Sequence, residues 1–324
     1  MATVTMAEAL NRALLDAMEA DPRVVVYGED VGRLGGVFRI TDGLQRRFGE
    51  GRCFDSPDSE SAIAGTAVGM AMYGLRPVVE MQFDGFSYPA FDQVVSHVAK
   101  YRFRTRGAVT LALVVRIPYG GAIGAVEHHS ESPEALYAHI AGLTVVTPGT
   151  PGDAYSLLRA SIDCPDPVIF LEPKRRYWMR EEVELPVTMA PMDRAVVRRS
   201  GGTATVIAYG PMVATALEAA ESAEANGWEL EVVDLRSLSP LDIATVAGSV
   251  RRTGHAVVVH EASRHAGFGA EVAAELSEVA FDDLAAPVLR VTGHDLPYPP
   301  AHVERWFLPD AERILDGVAR SLAW

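Results

Sequence analysis

The feature that most constrains the fold is a repeated alternation of short apolar runs with helical segments. In the first half of the chain, the runs predicted as strands cover residues 23–30, 76–82, 110–118, 143–148 and 167–173. A helical pattern precedes the first run, over residues 5–20, and opens with a Thr5-x-x-Glu8 capping box. Strands that are apolar throughout are typical of a parallel sheet covered on both faces. The pattern therefore predicts a doubly wound α/β domain.

A charged, irregular stretch over residues 174–193 interrupts the alternation. Beyond it, apolar runs at 203–210, 230–236, 255–261 and 287–293 restart the strand-helix rhythm. The 324 residues are enough for two cores. The sequence thus predicts two doubly wound α/β domains, with residues 1–185 in the first and residues 186–324 in the second.

Composition narrows the class of protein. Apolar residues make up 48% and charged residues 22% of the chain, as is usual for a globular protein. A net charge of −14 argues against nucleic acid or an anionic membrane as a partner. The 2 cysteines form no metal-binding spacing, and the sequence has neither a signal peptide nor a membrane-spanning apolar run. We therefore expect a cytoplasmic protein with no nucleic-acid or membrane partner.

One stretch, residues 54–74, sets Glu60 at the start of a helix built almost entirely of small and apolar residues. Ser59 is expected to cap this helix, and Glu60 then lies in its first turn. A helix of such composition is expected to be buried and to withdraw Glu60 from water. A buried carboxylate with a raised pKa can transfer protons. The alternative is that Glu60 only complements the helix dipole.

Ligands of open α/β sheets bind at the carboxyl ends of the strands. Glu29 follows the first strand, Phe86 lies in an aromatic loop after the second, and His129 lies in a glycine-rich loop after the third. Each alone could be an ordinary loop or core residue, but together they predict a cleft. The sequence contains no P-loop, no GxGxxG and no GDG…N motif for diphosphate and magnesium. The cleft is therefore expected to hold only part of its ligand.

Longer motifs along the whole chain carry a family resemblance. They are GGVFR at 35–39, DSPxSE at 55–60, GLRPVVEMQF at 74–83, HHSxSPEA at 128–135, FLEPK at 170–174, VVDLRSLSPLD at 232–242 and DLPYP at 295–299. With them the chain resembles the beta subunits of the thiamine-diphosphate-dependent 2-oxo acid dehydrogenase component, a transketolase-like family. The resemblance implies a pyrimidine-binding domain followed by a transketolase C-terminal-like domain. It also implies an alpha subunit that supplies the diphosphate and Mg²⁺ half of the cofactor site.

The resemblance assigns roles to individual positions. It implies that Glu60 hydrogen-bonds the ring nitrogen of the aminopyrimidine and so promotes the amino–imino shift by which the thiazolium carbon loses its proton. Phe86 is implied to stack on the pyrimidine ring. His129 is implied to serve the transfer of the acyl group to lipoate. Glu29 is implied to line, with Glu60, a polar channel between the two cofactor sites.

The chain departs from its relatives at a few positions near these residues. Asp58 stands where relatives usually have an apolar residue, and it is expected to raise the pKa of Glu60 if the two carboxylates lie close. Glu131 replaces the commoner glutamine beside the histidine. Pro89 stands where some pyruvate-type members have a third channel glutamate.

A further departure concerns potassium. Members of the family often hold this ion in a loop with the pattern Asp-x-Asn-Pro. Here the loop reads Cys164, Pro165, Asp166, Pro167. The resemblance therefore leaves potassium open as an additional ion.

The function implied is that of a beta subunit in an α2β2 heterotetramer that oxidatively decarboxylates a 2-oxo acid and acylates the lipoyl group of an acyltransferase core. The SPEA and FLEPK motifs and Pro89 favour a branched-chain substrate such as 3-methyl-2-oxobutanoate. The alternatives are a pyruvate or acetoin dehydrogenase beta subunit and a non-catalytic scaffold. The set Glu60, Phe86 and His129 argues against a scaffold. A single-chain transketolase-like enzyme would need a diphosphate domain, for which 324 residues leave no room.

Overall fold

The computed structural model describes residues 2–324, which divide into two compact units. The first unit consists of the chain up to Tyr119 together with Leu136–Met192. The second consists of Gly120–Ala135 together with Asp193–Trp324. The segment that carries His129 thus belongs to the second unit. The boundary expected after residue 185 stays a prediction.

The first unit follows the predicted strand-helix alternation. Its elements are, in chain order, β1 (Ala2–Thr5), α1 (Met6–Ala20), β2 (Val24–Gly28), α2 (Leu44–Phe48), β3 (Cys53–Asp55), α3 (Glu60–Met72), β4 (Arg76–Glu80), α4 (Ser87–Gln93), α5 (Tyr101–Arg104), β5 (Val114–Tyr119), α6 (Glu134–Ala138, in which the division between the units falls), β6 (Thr144–Val146), α7 (Pro151–Asp163), β7 (Val168–Pro173) and β8 (Arg180–Val183). The apolar runs predicted as strands are buried along their length in β2, β5 and β7.

Strands of the first unit form a parallel sheet in the order β3-β2-β4-β5-β7-β6. The carboxyl ends of these strands therefore meet at one edge. β1 pairs with β8 in a separate antiparallel ribbon. The predicted capping box of α1 is confirmed, because Thr5 Oγ1 accepts a hydrogen bond from Glu8 N at 3.2 Å and Thr5 N donates to Glu8 Oε2 at 2.7 Å.

β2 ends at Gly28, two residues earlier than predicted, because the backbone turns there. Gly28 has φ +157°, and a Cβ atom at this position would lie 2.5 Å from the carbonyl oxygen of Glu80. Only glycine fits so close to β4. The turn that follows brings Glu29 to the edge of the sheet.

The second unit is a smaller α/β domain with its own core. Its elements are β9 (Val196–Arg199), β10 (Ala204–Ala208), α8 (Met212–Ala223), β11 (Leu230–Asp234), β12 (Ser237–Ser239), α9 (Ile243–Thr253), β13 (Ala256–Ser263), α10 (Gly269–Val279), β14 (Leu289–Gly293), α11 (Glu304–Phe307) and α12 (Ala311–Leu322). The strand order is β14-β13-β10-β11-β9, with β9 antiparallel and the others parallel. The predicted fold class of two α/β domains is confirmed. No helix within residues 2–324 is long and apolar enough to cross a membrane.

Candidate active site

Glu29 lies directly after β2, at the carboxyl edge of the first unit's sheet. The residue is only 6% exposed, and its Oε1 atom has no hydrogen-bond partner. Burial raises the pKa of Glu29 to about 7, and the negative charges of Glu60, Asp58, Asp30 and Glu80 act in the same direction. A carboxyl group with such a pKa can take up or release a proton near neutral pH.

Glu60 is the first residue of α3 and lies in the first turn of this helix, as predicted. Ser59 occupies the N-cap position but makes no side-chain hydrogen bond to the helix, so the predicted serine cap is wrong. The Ser59 N–H donates instead to the carbonyl of Pro57 at 2.7 Å. The charge of Glu60 contributes to the raised pKa of Glu29, which means that the two carboxylates interact.

α3 is buried on one side only within this chain. Its buried face consists of small and branched apolar residues: Ile63, Ala64, Ala67, Val68 and Ala71. Its other face is exposed at Ser61, Ala62, Thr66 and Gly69, and Glu60 is half-buried. The prediction that the whole helix is buried is therefore wrong for the chain alone, because these positions of the second face remain exposed.

Asp58 is exposed, immediately before the start of α3. Its charge adds to the raised pKa of Glu29. The departure from an apolar residue at this position therefore acts on Glu29, and its expected effect on Glu60 stays a prediction.

Phe86 ends a 3₁₀ turn, Asp84–Phe86, that follows the carboxyl end of β4. The residue is half-buried. Its ring meets that of Phe83 edge to face, with the two centroids 6.0 Å apart. Packing against Phe83 therefore fixes the Phe86 ring near the carboxyl end of β4.

A buried ion pair holds the turn that carries Phe86. The Lys174 ammonium group is paired with the Asp84 carboxylate, and both side chains are fully buried. Lys174 Nζ also lies 5.4 Å from the centroid of the Phe83 ring and 3.4 Å from the carbonyl oxygen of Pro118. This pair was not predicted from the sequence as part of the site. The available signal was a lysine placed directly after a buried apolar run, in the FLEPK motif.

The first turn of α3 and the segment after Phe86 are joined directly. The Ser61 hydroxyl donates a hydrogen bond to the carbonyl of Pro89. The structure thereby brings Glu60 into the same region as the Phe86 turn, and Glu29 is coupled to Glu60 through its charge. The three predicted residues of the first unit gather at one edge of the sheet.

A buried charge network crosses the sheet near Glu29. Arg116 on β5 donates to Glu80 on β4 at 2.6 Å and to Glu172 on β7 at 2.6 and 3.0 Å. Tyr177 donates to Glu172 at 2.6 Å. Burial raises the pKa of Glu80, against the opposing effect of Arg116. With two carboxylates for one guanidinium, the network is a negative neighbour of Glu29. It was not predicted, although Glu80, Arg116 and Glu172 each stand inside an otherwise apolar run.

His129 lies in the second unit, in a 3₁₀ turn formed by Glu127–His129. Its Nδ1 atom is 2.9 Å from the carbonyl oxygen of His128, and the two imidazole centroids are 4.3 Å apart. His129 is half-buried, whereas His128 is exposed. His129 is therefore the more sheltered of the two histidines.

Contacts within the second unit anchor the segment Gly120–Ala135 at both ends. At its start, the Gly121 N–H donates to Glu261 Oε2 at 3.0 Å, and the Ala122 N–H donates to the Tyr298 hydroxyl at 2.9 Å. At its end, the Tyr209 hydroxyl donates to the fully buried Glu134 carboxylate at 2.7 Å. The turn that carries His129 therefore lies between two ends that are each held by hydrogen bonds.

In the loop considered for potassium, arginine side chains bind the carboxylate and carbonyl oxygens. The Asp166 carboxylate is paired with Arg102. The Arg76 guanidinium donates to the carbonyls of Ile162 at 2.7 Å and Cys164 at 3.4 Å. Within residues 2–324, no group of three or more His, Cys, Asp or Glu side chains is arranged to hold a metal ion.

Two successive α/β domains, with acidic and aromatic residues at the carboxyl edge of the first sheet, define a transketolase-like protein. Residues 2–179 match the family described as "Transketolase, pyrimidine binding domain", and residues 193–314 match "Transketolase, C-terminal domain". The chain belongs to the transketolase-like family of 2-oxo acid dehydrogenase beta subunits. The family implies thiamine diphosphate as the cofactor.

Curated relatives cover almost the whole chain. It is 58% identical to the 3-methyl-2-oxobutanoate dehydrogenase subunit beta of Mycobacterium tuberculosis, over 99% of this chain and 92% of the relative. It is 53% identical to the pyruvate dehydrogenase E1 component subunit beta of Leifsonia xyli, over 99% and 96% of the two chains. It is 45% identical to the 2-oxoisovalerate dehydrogenase subunit beta of Pseudomonas aeruginosa, over 96% and 93%.

A solved structure shares the fold. The chain of a split-gene transketolase, described as an inactive beta4 tetramer, superposes with a TM-score of 0.82 at 24% identity, covering 99% of this chain and 98% of the other. At this identity the likeness concerns the fold alone.

Proposed function

We propose that the chain is the beta subunit of a branched-chain 2-oxo acid dehydrogenase. With an alpha subunit, in an α2β2 heterotetramer, it would oxidatively decarboxylate a 2-oxo acid such as 3-methyl-2-oxobutanoate and pass the acyl group to the lipoyl group of an acyltransferase core. The observation that carries the proposal is the interaction of buried Glu29 with Glu60 at the carboxyl edge of the sheet. A buried carboxyl group whose pKa lies at about 7, as that of Glu29 does, can exchange protons with a bound ligand at neutral pH.

The residues of the first unit fit an aminopyrimidine ring. Such a ring needs an aromatic surface against one face and a proton partner at its edge. The half-buried ring of Phe86 supplies the surface, and Glu60 is the proton partner. Glu29 adds a buried carboxylate oxygen with no partner of its own. These features support carrying the cofactor roles of Glu60, Phe86 and Glu29 over to this chain.

When bound, thiamine diphosphate supplies the stabilisation of negative charge at the reacting carbon. The work of the chain is to hold and move protons around it. Glu60 holds the proton at the pyrimidine ring nitrogen, and Glu29, whose pKa burial raises to about 7, provides a second acid that interacts with it. His129 donates or accepts a proton while the acyl group passes to the lipoyl group.

The alpha subunit completes the site in this proposal. We assign the diphosphate and Mg²⁺ to that subunit because the sequence contains no GDG…N motif. Potassium is not part of the proposal, since Asp166 is paired with Arg102 and Arg76 occupies the nearby carbonyls. Calorimetry on the isolated chain is expected to detect no tight binding of thiamine diphosphate, and micromolar binding would contradict a shared site.

The choice of substrate rests on two observations. The relative at 58% identity is named for 3-methyl-2-oxobutanoate, and the SPEA and FLEPK motifs with Pro89 favour the same branch. Pyruvate is the second candidate, because a relative named for it is 53% identical. Acetoin is the third candidate.

The proposal is tested on the co-expressed alpha–beta complex with a lipoylated acceptor domain. Initial rates with 3-methyl-2-oxobutanoate, pyruvate and acetoin give kcat/KM for each, and the complex carrying Glu60→Gln provides the background. We expect the branched-chain acid to have the largest kcat/KM. A larger value for pyruvate or acetoin would assign the chain to that substrate instead.

A further inference from the structure

A small cationic pocket lies in the second unit, away from every residue discussed so far. It has a volume of about 210 Å³ and opens between β14, α12 and the loop after β13. Its lining contains four arginines and one acid: Arg264, Arg290, Arg313, Arg320 and Asp316. On a chain with a net charge of −14, such a local excess of positive charge calls for an explanation.

Close packing of α12 on the edge strand builds the pocket. A Cβ atom at Gly317 would lie 2.8 Å from Val291 Cγ2, so a glycine lets the helix approach β14 directly. Arg313 and Arg320 are seven positions apart and so share a face of the helix. Arg313 fixes this arrangement, since it donates to the carbonyls of Thr292 at 2.5 Å and Phe307 at 3.2 Å.

Arg264 and Arg290 are held together by reciprocal bonds. Arg264 Nη1 donates to the carbonyl of Arg290 at 3.0 Å, and Arg290 Nη1 donates to the carbonyl of Arg264 at 2.9 Å. Two like charges are thereby fixed as neighbours. Burial lowers the pKa of Arg290, and the charge of Arg264 lowers it further.

The hydrogen bonds of these arginines satisfy N–H donors without neutralising charge. In the described part of the chain, Arg264, Arg290 and Arg313 have no carboxylate within 4.0 Å. Asp316 stands 3.4 Å from Arg320 and is the one acid of the lining. Asp295 favours the charged form of Arg290 and Asp310 that of Arg313, but neither forms an ion pair with its arginine. Clustered cations without a paired anion disfavour the folded state, and a bound anion would reduce that penalty.

We propose that this pocket binds a phosphoryl dianion, either free phosphate or the phosphate group of a small monoester. The planar guanidinium fork matches phosphate oxygens and offers several donors at once. A volume of about 210 Å³ accommodates a phosphoryl group with a short substituent and excludes a large ligand. The site is independent of the proposed reaction, because none of its residues belongs to the machinery described above.

The test is thermal unfolding of the full chain at constant ionic strength, titrated with inorganic phosphate and, in parallel, with glycerol 3-phosphate. Variants are Arg264→Gln/Arg290→Gln and, as a control, Arg251→Gln, whose arginine is exposed and paired with Asp283. We expect a saturable rise in Tm for the wild type and the control. The double variant should bind about tenfold more weakly or worse, because it loses charge-assisted hydrogen bonds.

If the double variant does not fold, Arg320→Gln provides a second test. This substitution should be tolerated, because the Arg320 side chain bonds only to Asp316 among the contacts described. This single variant should also weaken phosphate binding. A steeper response to glycerol 3-phosphate than to phosphate would identify a monoester as the ligand, and an equal response would identify free phosphate. An identical response in all variants, or no saturable response in the wild type, would overturn the proposal.

Discussion

The Glu261 carboxylate accepts a hydrogen bond from the Gly121 N–H at 3.0 Å, although the two residues are 140 positions apart in the sequence. Beside this bond, a Cβ atom at Gly121 would lie 2.2 Å from the Tyr298 hydroxyl, so only glycine fits. The hydrogen bond to the Glu261 carboxylate thus holds the segment that carries His129 against the carboxyl end of β13. Glu261 is buried and touches no predicted ligand, which makes it a positioning residue in this account.

We expect Glu261→Ala to loosen this segment while leaving the first unit unchanged. Acyl transfer to the lipoyl group should fall about tenfold, which corresponds to roughly 1.4 kcal/mol. Glu261→Gln keeps an oxygen acceptor and should remain near the wild type. The measurements are the rate of lipoyl acylation and hydrogen exchange at residues 120–135. Unchanged exchange in the alanine variant would show that Glu261 does not hold the segment.

The Lys174–Asp84 ion pair gives a stability prediction. Lys174→Met leaves the buried Asp84 carboxylate without its lysine, and breaking a buried pair in this way costs about 3–5 kcal/mol. Adding Asp84→Asn should recover most of the loss, because no buried charge remains. Urea unfolding of the isolated chain measures both, with Lys100→Met as a control, since Lys100 is only half-buried and donates to the backbone carbonyl of Ala141. A loss no greater than that of the control would mean that the pair does not support the Phe86 turn.

Glu29 makes stability depend on pH. Its pKa is raised from an ordinary value of 4.5 to about 7, so its contribution to folding is fully present below about pH 4.5 and is lost as the pH rises through 7. Glu29→Gln cannot ionise, and its Tm relative to the wild type should therefore rise between pH 5 and pH 8. Glu50→Gln, at an exposed acid, is the matched control. A Tm difference that does not vary with pH would contradict a buried, protonatable Glu29.

His129→Ala should retain cofactor binding in the alpha–beta complex but lose most of the overall reaction with a lipoyl acceptor. A positioned acid–base group typically contributes about a hundred- to ten-thousandfold in rate. His128→Ala alters the exposed neighbour and should stay close to the wild type. Steady-state acylation and calorimetry on the complex separate the two effects. Normal acylation by His129→Ala, or loss of cofactor binding, would remove the histidine from the proposed role.

The sequence was informative wherever structure follows from local pattern. Fully apolar runs identified the buried parallel strands, and the Thr5-x-x-Glu8 spacing identified the start of α1. The acid after β2 was found in the same way, because the end of a parallel strand is a known place for ligands. These features depend on neighbours a few residues away, which periodicity can reveal.

Long-range polar contacts were not predictable in this way. Lys174 and Asp84 are 90 positions apart, and Gly121 and Glu261 are 140 apart, so no local pattern links them. The assignment of Gly120–Ala135 to the second unit was not predictable for the same reason, because it depends on contacts between residues far apart in the sequence. The Ser59 cap failed for a different reason, since residue type permits a cap but the local backbone decides whether the bond forms.

The central claim is that Glu60 exchanges a proton with the cofactor, and it is tested most directly by the rate at which the thiazolium C–H of bound cofactor exchanges with heavy water. The measurement compares the alpha–beta complex carrying wild-type chain, Glu60→Gln, or Asp58→Asn as the matched exposed control. We expect intact assembly in all three, near wild-type exchange for Asp58→Asn, and a loss of at least about a hundredfold for Glu60→Gln. Wild-type exchange in Glu60→Gln, with a stability change of only about 0.3–1 kcal/mol, would mean that the carboxylate merely complements the helix dipole.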